Sequence, residues 1–429
     1  MKSTGIAWLP EVGDEWETYK VAHGFSAVGS GTTPNTENHA YYDGDVPWVT
    51  TSELRETVIT DTTKKVTKQA LHEHPALKLF PEGTLLIAMY GATIGRLGVL
   101  GVPACMNQAC CALGAGTFLD SRFVYYWLLG FRENVIQLAS GGGQPNISQE
   151  KIRSLRIPAP SRGAQVHIAT FLDRRTAAID TLIAKKERLI DLLQEKRQAL
   201  ITQAVTRGLN PDMPMKESGI KDIGAIPQGW AVTTIRRITA NHKQGFYTND
   251  PYVDDGTRLA RITDIDDMSN VTYDDMPFVN IDPGTRRAFE VRDGDFLFAR
   301  SGSLGRFGIA RDPPPCVFAS YLIRFRFKRV LPNFVRYWLL SDIFQCGIRR
   351  MHHGGANQNV HAEDIKGQPI VVPPKETQET ICAYLDGVIP KLESVTERIG
   401  VSMGQLHEYR GALITAAVTG RIDVSKEAA

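Results

Sequence analysis

Two stretches of the chain repeat their apolar residues with a helical period. In residues 165–206 and 378–419, leucine and isoleucine recur every seven positions, interrupted once by Lys186, and further apolar residues follow some of them three positions later. Such sustained heptads predict two long helices that pack on each other as a coiled coil, with two amphipathic helices packed separately on their own globules as the alternative. The predicted core positions are Leu172, Ile179, Leu182, Leu189, Leu193, Leu200, Leu385, Val388, Leu392, Val395, Ile399, Leu406 and Leu413.

Proline and glycine mark the limits of both predicted helices. Pro160 precedes the first helix and Gly208 follows it, while Pro374 precedes the second and Gly420 follows it. Such punctuation is typical of helix ends. The second helix contains glycines and a proline, so we expect it to be weaker and kinked near its start. These residues are Gly387, Pro390, Gly400, Gly404 and Gly411.

The segments that precede the two helices have a different pattern. They are rich in glycine, proline and threonine and contain short β-type runs, such as residues 46–50 and 85–88. Residues 121–138 carry a local helical pattern. This mixture predicts an α/β globule in front of each long helix.

The order of globule and helix occurs twice, at a spacing of 211 to 214 residues. GTLLIAMYG at 83–91 aligns with GDFLFARSG at 294–302, and the tetrapeptide YWLL occurs at 126–129 and again at 337–340. Five matches in the same order predict two copies of one module. The predicted domains are residues 1–158 (first globule), 159–208 (first long helix), 209–372 (linker and second globule) and 373–429 (second long helix and C-terminal tail).

The composition of the 429 residues is that of an ordinary globular protein. Lysine and arginine number 49 and aspartate and glutamate 47, which excludes a uniformly basic, histone-like binder. Arg96 interrupts the best apolar run and the N-terminus lacks the apolar core of a signal peptide, so we expect a soluble, cytoplasmic protein. The six cysteines lack CxxC spacing and are expected to be buried free thiols, with a zinc site as the alternative.

Local charge departs from this overall balance. Residues 290–350 contain eleven basic against five acidic side chains, and residues 250–282 contain nine aspartates against two arginines. A basic zone suits a polyanion, although a solvated charged face explains the surplus equally well. Loops at 29–34, 50–52 and 141–147 add hydroxyl and amide side chains, which could bind phosphates and base edges or could simply form turns.

No catalytic motif is complete in this sequence. Asp312 begins an Asp-Pro-Pro-Pro run without the aromatic residue of an amino-methyltransferase motif, and no glycine-rich cofactor loop follows an early strand. Asp364 and Lys366 have the D-x-K spacing of a nuclease site, but the upstream Pro-Asp pair is missing and the other copy does not repeat the feature. P-loop and HExxH motifs are absent, and His352 with His353 is interpreted as polar surface. We therefore predict a protein that is not an enzyme.

A series of short motifs runs in the same order through both copies. The first copy contains them at residues 5–16, 29–34, 41–50, 91–95, 141–148, 157–160, 171–173 and 179–180, and the second at 220–230, 299–303, 372–374 and 384–386. Together they resemble the DNA-specificity subunit of type I restriction–modification enzymes across essentially the whole chain. The chain departs from that family after the prolines, where the usual Glu-Gln pair is reduced to Gln165 and Gln378.

The resemblance implies that each globule is a target recognition domain reading one half of a bipartite, asymmetric site in double-stranded DNA. The helices would pair antiparallel as a coiled-coil spacer, giving an α+β fold with a pseudo-two-fold repeat. Methyltransferase (M) subunits with S-adenosylmethionine would dock on it, and restriction (R) subunits would use ATP and Mg, while this chain would hold no cofactor, no metal and no membrane contact. The alternatives are a free-standing DNA adenine methyltransferase or nuclease, and a coiled-coil interaction protein without DNA binding.

Polar and basic loop side chains are the candidates for DNA contact. Arginine most often reads guanine and Asn or Gln reads adenine, whereas lysine more often holds phosphate. The candidates in the first domain are Thr33, Tyr42, Thr51, Arg55, Lys64, Lys65, Tyr90, Arg96, Gln144 and Asn146. Those in the second domain are Lys243, Tyr247, Arg300, Ser301, Ser303, Arg306, Asn357 and Gln358.

Overall fold

The structure is a computed structural model that describes residues 2–139, 145–248, 250–301, 303–351 and 359–424. The chain divides into two compact units. The first combines Met1–Lys186 with Gly400–Ala429, and the second spans Glu187–Ile399. Each unit therefore contains one globule and a part of both long helices.

The first globule contains twelve strands among the described residues. They are β1 (Lys2–Ile6), β2 (Leu9–Val12), β3 (Glu17–Lys20), β4 (Val28–Ser30), β5 (Tyr42–Val49), β6 (Val58–Ile59), β7 (Lys65–Val66), β8 (Leu85–Ala88), β9 (Leu97–Leu100), β10 (Cys105–Met106), β11 (Cys110–Leu113) and β12 (Arg156–Ala159). The helices up to the end of the first long helix are α1 (Val21–Gly24), α2 (Lys68–Glu73), α3 (Ser121–Gly130), α4 (Arg132–Gln137), α5 (Gln149–Ser154) and α6 (Arg162–Arg207), with 3-10 turns at His39–Tyr41, Thr51–Glu53 and Gly91–Thr93.

The second globule repeats this order with eleven strands in its described part. They are β13 (Met215–Glu217), β14 (Ala225–Pro227), β15 (Ala231–Thr234), β16 (Thr239–Gln244), β17 (Thr257–Ala260), β18 (Phe278–Val279), β19 (Phe296–Ala299), β20 (Phe307–Ile309), β21 (Cys316–Phe318), β22 (Leu322–Phe327) and β23 (Pro369–Val372). The helices are α7 (Ile235–Ile238), α8 (Pro283–Phe289), α9 (Pro332–Leu340), α10 (Asp342–Arg350), α11 (Ala362–Gly367) and α12 (Lys375–Val418), with a 3-10 turn at Ile262–Asp264.

The sheets of the two units have the same topology except for β6, which has no counterpart strand in the described part of the second unit. The largest sheet is ordered β4-β11-β8-β9-β6 in the first unit and β16-β22-β19-β20 in the second. Beside it lies a three-stranded sheet whose middle strand, β5 or β17, is parallel to one neighbour and antiparallel to the other. A hairpin (β1-β2 or β13-β14) and a two-stranded pair (β3-β12 or β15-β23) complete each set. This correspondence confirms the predicted duplication of one module.

The YWLL motif occurs in both copies because its tryptophan packs in the core of each unit. Trp127 and Trp338 are fully buried at the centres of the two main cores. Strands β8 and β19, with sequences LLIA and FLFA, are buried along their whole length beside them. Since truncating a buried tryptophan to alanine costs about 3–5 kcal/mol, this ring accounts for much of each core's stability.

The two long helices begin and end within three residues of the predicted limits. The helix α6 has 46 residues and α12 has 44, and Pro390 lies inside α12 without ending it. The continuous helix is stabilised by its packed apolar face, which compensates for the locally poor helix formers.

In each unit the two helices run antiparallel and are joined by an ion pair. In the first unit Arg410 donates from Nε and Nη2 to the carboxylate of Asp180, at 2.8 and 3.1 Å. In the second unit Arg197 Nε donates to Glu393 Oε1 at 3.0 Å. The residue numbers of the partners sum to 590 in both pairs, so the two contacts follow the same antiparallel register.

Three predicted core positions lie outside the buried seam of the helices, which corrects the sequence-based register. Leu182, Leu189 and Val395 are 43%, 44% and 43% exposed. The residue that follows each of them (Ile183, Ile190 and Thr396) is buried or half-buried instead. Among the other predicted positions, Leu172, Ile179, Leu385 and Ile399 are buried, and Leu193, Leu200, Val388, Leu392, Leu406 and Leu413 are half-buried.

Each long helix ends at a glycine that packs on a tryptophan. Gly208 and Gly420 adopt left-handed φ values of 78° and 71°, which is the usual conformation just past a helix C-terminus. A Cβ atom on Gly208 would lie 3.2 Å from the Trp230 ring, and one on Gly420 would lie 2.9 Å from the Trp16 ring. The end of α6 therefore belongs to the second unit, and the end of α12 to the first.

A buried glutamine fixes the start of each long helix. Gln165 accepts a hydrogen bond from Asp120 N (2.8 Å) and donates to the carbonyl of Pro160 (2.9 Å), next to the N-terminus of α3. Gln378 accepts from Leu331 N (2.9 Å) and donates to the carbonyl of Pro373 (2.8 Å), next to the N-terminus of α9. These bonds explain why both copies keep the glutamine.

All six cysteines are free thiols and five of them are buried, so the predicted burial is wrong for Cys346 alone. Burial raises the pKa of Cys105, Cys110, Cys111, Cys316 and Cys382 to about 12. Cys346 is half-buried on α10. Within the described ranges no cluster of His, Cys, Asp and Glu side chains could hold a metal ion, and no helix is long and apolar enough to span a membrane.

We expect iodoacetamide at pH 8 to label Cys346 well before the other five thiols. The thiolate is the nucleophile, and a thiol with a pKa of about 12 is ionised in only about one molecule in ten thousand at that pH. Peptide mass spectrometry after labelling of the native chain measures this, with the urea-denatured chain as the control in which all six react. Labelling of the buried thiols at the rate of Cys346 would contradict the predicted burial.

Candidate nucleic-acid interface

A turn between β10 and β11 gathers three loops of the first unit. Asn107 N donates to the carbonyl of Val49 (2.9 Å), and the carbonyl of Ala109 accepts from Met89 N (2.8 Å). Ile147 N in turn donates to the carbonyl of Met89 (2.8 Å), and Tyr90 forms a β-bridge with Asn146. Three segments therefore meet at this turn, namely the end of β5, the hairpin after β8 and the segment before α5. We call this meeting place the junction of the first unit.

A fourth loop crosses the same turn and requires a glycine at the crossing. Gly31 N donates to the carbonyl of Cys110 (3.3 Å), and Thr32 N donates to the carbonyl of Met106 (3.0 Å). A Cβ atom on Gly31 would lie 1.9 Å from Met106 O, so no other residue fits without moving the backbone. The loop at 29–34 is therefore held against the turn by main-chain bonds.

The second unit builds the same junction around residues 319–321. Ala319 N donates to the carbonyl of Ala260 (3.0 Å), and Arg300 N donates to the carbonyl of Tyr321 (2.9 Å). Val360 N donates to the carbonyl of Arg300 (2.8 Å), and Ser301 forms a β-bridge with Asn359.

The crossing loop of the second unit also needs its glycine. A Cβ atom on Gly245 would lie 2.0 Å from Ala319 O. Gly245 N donates to the carbonyl of Leu322 (3.0 Å) and Phe246 N to the carbonyl of Phe318 (2.7 Å). Every main-chain contact described for the first junction thus has a counterpart in the second.

Several candidate residues of the first domain lie at this junction. Thr33 donates from its hydroxyl to Gln108 Oε1, Tyr90 and Asn146 face each other across the bridge, and Arg96 is exposed on the hairpin between β8 and β9. Tyr42 supports the 29–34 loop, since its hydroxyl donates to the carbonyl of Pro34 (2.7 Å) and its ring packs edge-on against Trp48.

Other candidates of the first domain surround the 3-10 turn at Thr51–Glu53. The exposed Arg55 donates from Nε to the carbonyl of Ser52 (3.0 Å). Lys65 pairs with Asp61 at 3.0 Å, and this hydrogen bond lowers the pKa of the Asp61 carboxyl. Lys64 is exposed on the same loop, while Gln144 lies outside the described residues.

In the second domain the candidates occupy the corresponding loops. Tyr247 is 69% exposed on the crossing loop, and Ser301 is exposed while Arg300 and Ser303 are half-buried on the hairpin after β19. Lys243 is turned inward, where Nζ donates to the carbonyl of Ala288 (3.1 Å) and lies 3.9 Å above the Phe289 ring. Asn357 and Gln358 lie outside the described residues.

Gln108 is a candidate that the sequence analysis missed. It is an exposed amide at the tip of the turn on which the other loops converge. Its signal in the sequence is the polar pair Asn107-Gln108 between two buried runs, CM and CC. An amide side chain in this position has both a donor and an acceptor to offer to a base edge.

The basic side chains at 290–350 are less available to bind a polyanion than the sequence indicates. Asp295, only 2% exposed, accepts from Arg326 Nε (2.7 Å) and Nη2 (3.0 Å) and lies 3.8 Å from Arg324 Nε. Burial lowers the pKa of Arg324, while the hydrogen bond to Asp295 raises the pKa of Arg326. Arg306 pairs with Asp267 at 3.7 Å, and Arg350 pairs with Asp222. Much of the positive surplus therefore stabilises the fold.

The incomplete catalytic motifs have structural roles where they are described. The carboxylate of Asp364 accepts from His361 N (2.7 Å) and caps α11, while Lys366 pairs with Glu363. Asp312 adopts a positive φ of 43° in a turn, and its N donates to Asp293 Oδ1 (3.0 Å). The pair His352 and His353 lies outside the described residues.

Residues 13–191 and 216–400 match the family described as the type I restriction modification DNA specificity domain. The type I restriction enzyme EcoBI specificity subunit of Escherichia coli is 24% identical over 332 residues, which cover 75% of this chain and 70% of that protein.

Two solved structures share the fold. A chain from work on complex assembly and conformational transition of the type I R-M system has a TM-score of 0.75 at 15% identity, covering 96% of this chain and 100% of that one. The HsdS subunit from Thermoanaerobacter tengcongensis has a TM-score of 0.56 at 14% identity, with 98% and 100% covered. The chain therefore belongs to the family of type I restriction–modification DNA specificity proteins, and it carries two copies of the family's domain.

Proposed function

We propose that the chain is the sequence-reading subunit of a type I restriction–modification complex. Each unit reads one half of a bipartite, asymmetric site in double-stranded DNA through the loops that meet at its junction. The chain contributes no catalytic step of its own. It acts in the cytoplasm, where the DNA and the other subunits are.

One observation carries this proposal. The two junctions are held by the same main-chain hydrogen bonds but present different side chains. The main-chain bonds that hold Gly31 and Gly245 are equivalent, yet Gln108 corresponds to Ser320 and Tyr90 to Ser301. Base edges are distinguished by the donor and acceptor pattern of the side chains that meet them. One framework with two sets of loop side chains is therefore suited to reading two different half-sites.

The long helices would set the distance between the half-sites. At 1.5 Å per residue the 46 residues of α6 extend about 69 Å, which corresponds to roughly two turns of B-DNA. The exposed leucines Leu182 and Leu189 leave apolar surface on the outside of α6. We place the docking of the methyltransferase subunits on these helices and the adjoining globules.

The remaining chemistry would belong to other subunits. S-adenosylmethionine would be held by the methyltransferase subunits, and ATP and Mg by the restriction subunits. The chemistry of this chain's own residues is confined to recognition, because the carboxylates and amines of its incomplete motifs are used as helix caps, turns and ion pairs.

Methylome sequencing of cells that express the chain with its methyltransferase subunits tests the proposal. We expect one methylated motif made of two specified halves and an unspecified gap. The purified chain alone, incubated with duplex DNA and labelled S-adenosylmethionine or with Mg, is expected to give no methylation and no cleavage. Turnover by the lone chain, or a motif without two halves, would overturn the proposal.

Adding a methyl group to a crossing glycine should damage one half-site and leave the other intact. In Gly31→Ala and Gly245→Ala the new Cβ would meet a carbonyl oxygen at 1.9 and 2.0 Å, so the loop must move. Such overpacking typically costs 1–3 kcal/mol, and we expect about tenfold weaker discrimination at the half-site read by the changed unit.

Competition binding with duplexes altered in one half-site at a time measures the effect of each glycine change. Gly163→Ala and Gly387→Ala are the controls, since a Cβ atom at these helical positions meets nothing within 4 Å. Equal damage to both half-sites by either loop variant would contradict the assignment of one half-site to each unit.

A further inference from the structure

The hairpin between β19 and β20 in the second unit and the hairpin between β8 and β9 in the first carry candidate DNA contacts and are called the recognition hairpins. The recognition hairpin of the second unit is held by one side chain of the helix α10. Gln345 Nε2 donates to the carbonyl of Gly305 at 3.2 Å and to the carbonyl of Leu339 at 2.7 Å. Gly305 adopts a left-handed φ of 77°, and a Cβ atom there would lie 2.4 Å from Gln345 Oε1. The amide group therefore fits directly against the hairpin backbone and ties it to the end of α9.

The helix that carries Gln345 is itself firmly anchored. Phe344 and Ile348 are each 1% exposed in the core of the unit. At its N-terminus Asp342 N donates to Thr202 Oγ1 of α6 at 3.0 Å, and the hydroxyl of the buried Ser341 donates to the carbonyl of Trp338 at 2.6 Å. Gln345 is consequently a fixed point to which the hairpin is attached.

A cavity of about 490 Å³ adjoins the hairpin on the side of Gln345, lined by Asp266, Asp267, Arg306 and Gln345 among others. Arg306 donates from Nη2 to the carbonyl of Ile265 and so makes a second directional contact. Leu304 and Phe307 pack against the core of the unit, whereas the backbone of Gly305 between them is positioned by the hydrogen bond from Gln345.

In the first unit an apolar contact supports the corresponding hairpin. The equivalent glycine, Gly95, also has a left-handed φ, of 74°. A Cβ atom on it would lie 3.0 Å from Ile136 Cγ1 of α4. The two recognition hairpins are therefore supported by different chemistry, an isoleucine in one and a hydrogen-bonding amide in the other.

We propose that Gln345 is a positioning residue for sequence recognition in the second domain, acting through the carbonyl of Gly305 to fix the hairpin that carries Ser301, Ser303 and Arg306. The proposal rests on the proposed function, because it assigns a role within the same junction. Gln345 itself need not touch DNA.

The test compares Gln345→Met with Gln345→Lys in the full chain assembled with its methyltransferase subunits. Methionine has nearly the size of glutamine and no donor, whereas the lysine ammonium again supplies N–H donors. We expect Gln345→Met to weaken discrimination at the second half-site about fivefold, which is the effect of one net hydrogen bond. Discrimination at the first half-site should not change, and Gln345→Lys should recover most of the loss.

A matched control is Gln198→Met. Gln198 Nε2 donates to the carbonyl of Leu340 at 2.7 Å, in the same unit, so its hydrogen bond goes to the end of α9 and not to the hairpin. The Gln198→Met variant should discriminate at both half-sites as well as the wild type does. Thermal unfolding reports any general loss of stability in either variant. The measurement is competition between the cognate duplex and duplexes altered at single positions of each half-site.

The possible outcomes distinguish a failure of the proposed function from a failure of the role assigned to Gln345. A wild-type complex without a bipartite motif would overturn the proposed function and this proposal with it. A wild-type complex with such a motif, combined with unchanged discrimination in Gln345→Met, would overturn the role of Gln345 alone. The same holds if Gln345→Met weakens both half-sites equally, if lysine fails to restore the loss, or if Gln198→Met reproduces it.

Discussion

Replacing Asp295 with alanine is expected to destabilise the second unit by about 3–5 kcal/mol, a large part of the stability of a typical domain. Asp295 is 2% exposed and lies between Arg324, which is 3% exposed, and Arg326. It also accepts from Arg292 N at 2.8 Å. Without the carboxylate, the buried guanidinium of Arg324 and the half-buried one of Arg326 lose their compensating charge, and this penalty exceeds the loss of the bonds themselves.

Hydrogen–deuterium exchange read by peptide measures this effect in each unit separately, which is needed because a chain of two units does not unfold in one step. Peptides of β19 and β22 should exchange much faster in Asp295→Ala, while peptides of the first unit should keep their rates. The control is Thr84→Val at the equivalent position of the first unit, where only one hydroxyl bond, to the carbonyl of Pro81 at 2.8 Å, is lost. We expect about 1 kcal/mol there. An equally small effect of Asp295→Ala would show that the arginines are hydrated in the native state.

Lengthening both long helices by three heptads is expected to widen the gap between the half-sites by about nine base pairs. Insertions after Lys186 and Ile399 lie at equivalent places of the repeat, at the boundary between the units. Twenty-one residues add about 32 Å of helix, close to one turn of B-DNA, so the second unit keeps its angular position around the DNA axis. Heptad insertions also preserve the apolar seam.

An eleven-residue insertion at the same two places is the control. Eleven residues also preserve an apolar stripe, but they add only about 16 Å, which is half a turn of DNA. The second unit would then face the opposite side of the duplex, and we expect specific binding to fall at least tenfold. Selection of binding sites from random duplex DNA reads both half-sites and the gap. If the letters of a half-site changed while the gap stayed constant, the helices would not be the spacer.

The repeat and the long helices could be predicted because their signals are local and periodic. The limits 165–206 and 378–419 came within three residues of the observed α6 and α12. The sequence alone does not determine the register of the helices, because apolar residues stand side by side at positions 182 and 183 and again at 189 and 190. Only contact with the partner helix decides which of two adjacent residues turns inward.

The junction and its charges depend on contacts between distant parts of the chain. Arg324 and Arg326 look like surface charge in the sequence, since nothing local shows that Asp295 lies between them. Likewise, Gly31 looks like one flexible residue among several, until the crossing of its loop over Met106 shows that a Cβ is excluded. The candidate DNA contacts remain predictions, although the structure shows which of them share a junction.

The packing of Ile414, Ala417 and Val418 in the core of the first unit has a consequence for synthesis. All residues of the second unit have been synthesised when residue 399 is added, whereas the first globule still lacks the end of α12. From residue 186 to residue 418, translation at 5–20 residues per second takes roughly 10–50 s. During that interval the groove for α12 exposes apolar surface to chaperones and to other nascent chains. The domain that is synthesised first is thus the last to be completed.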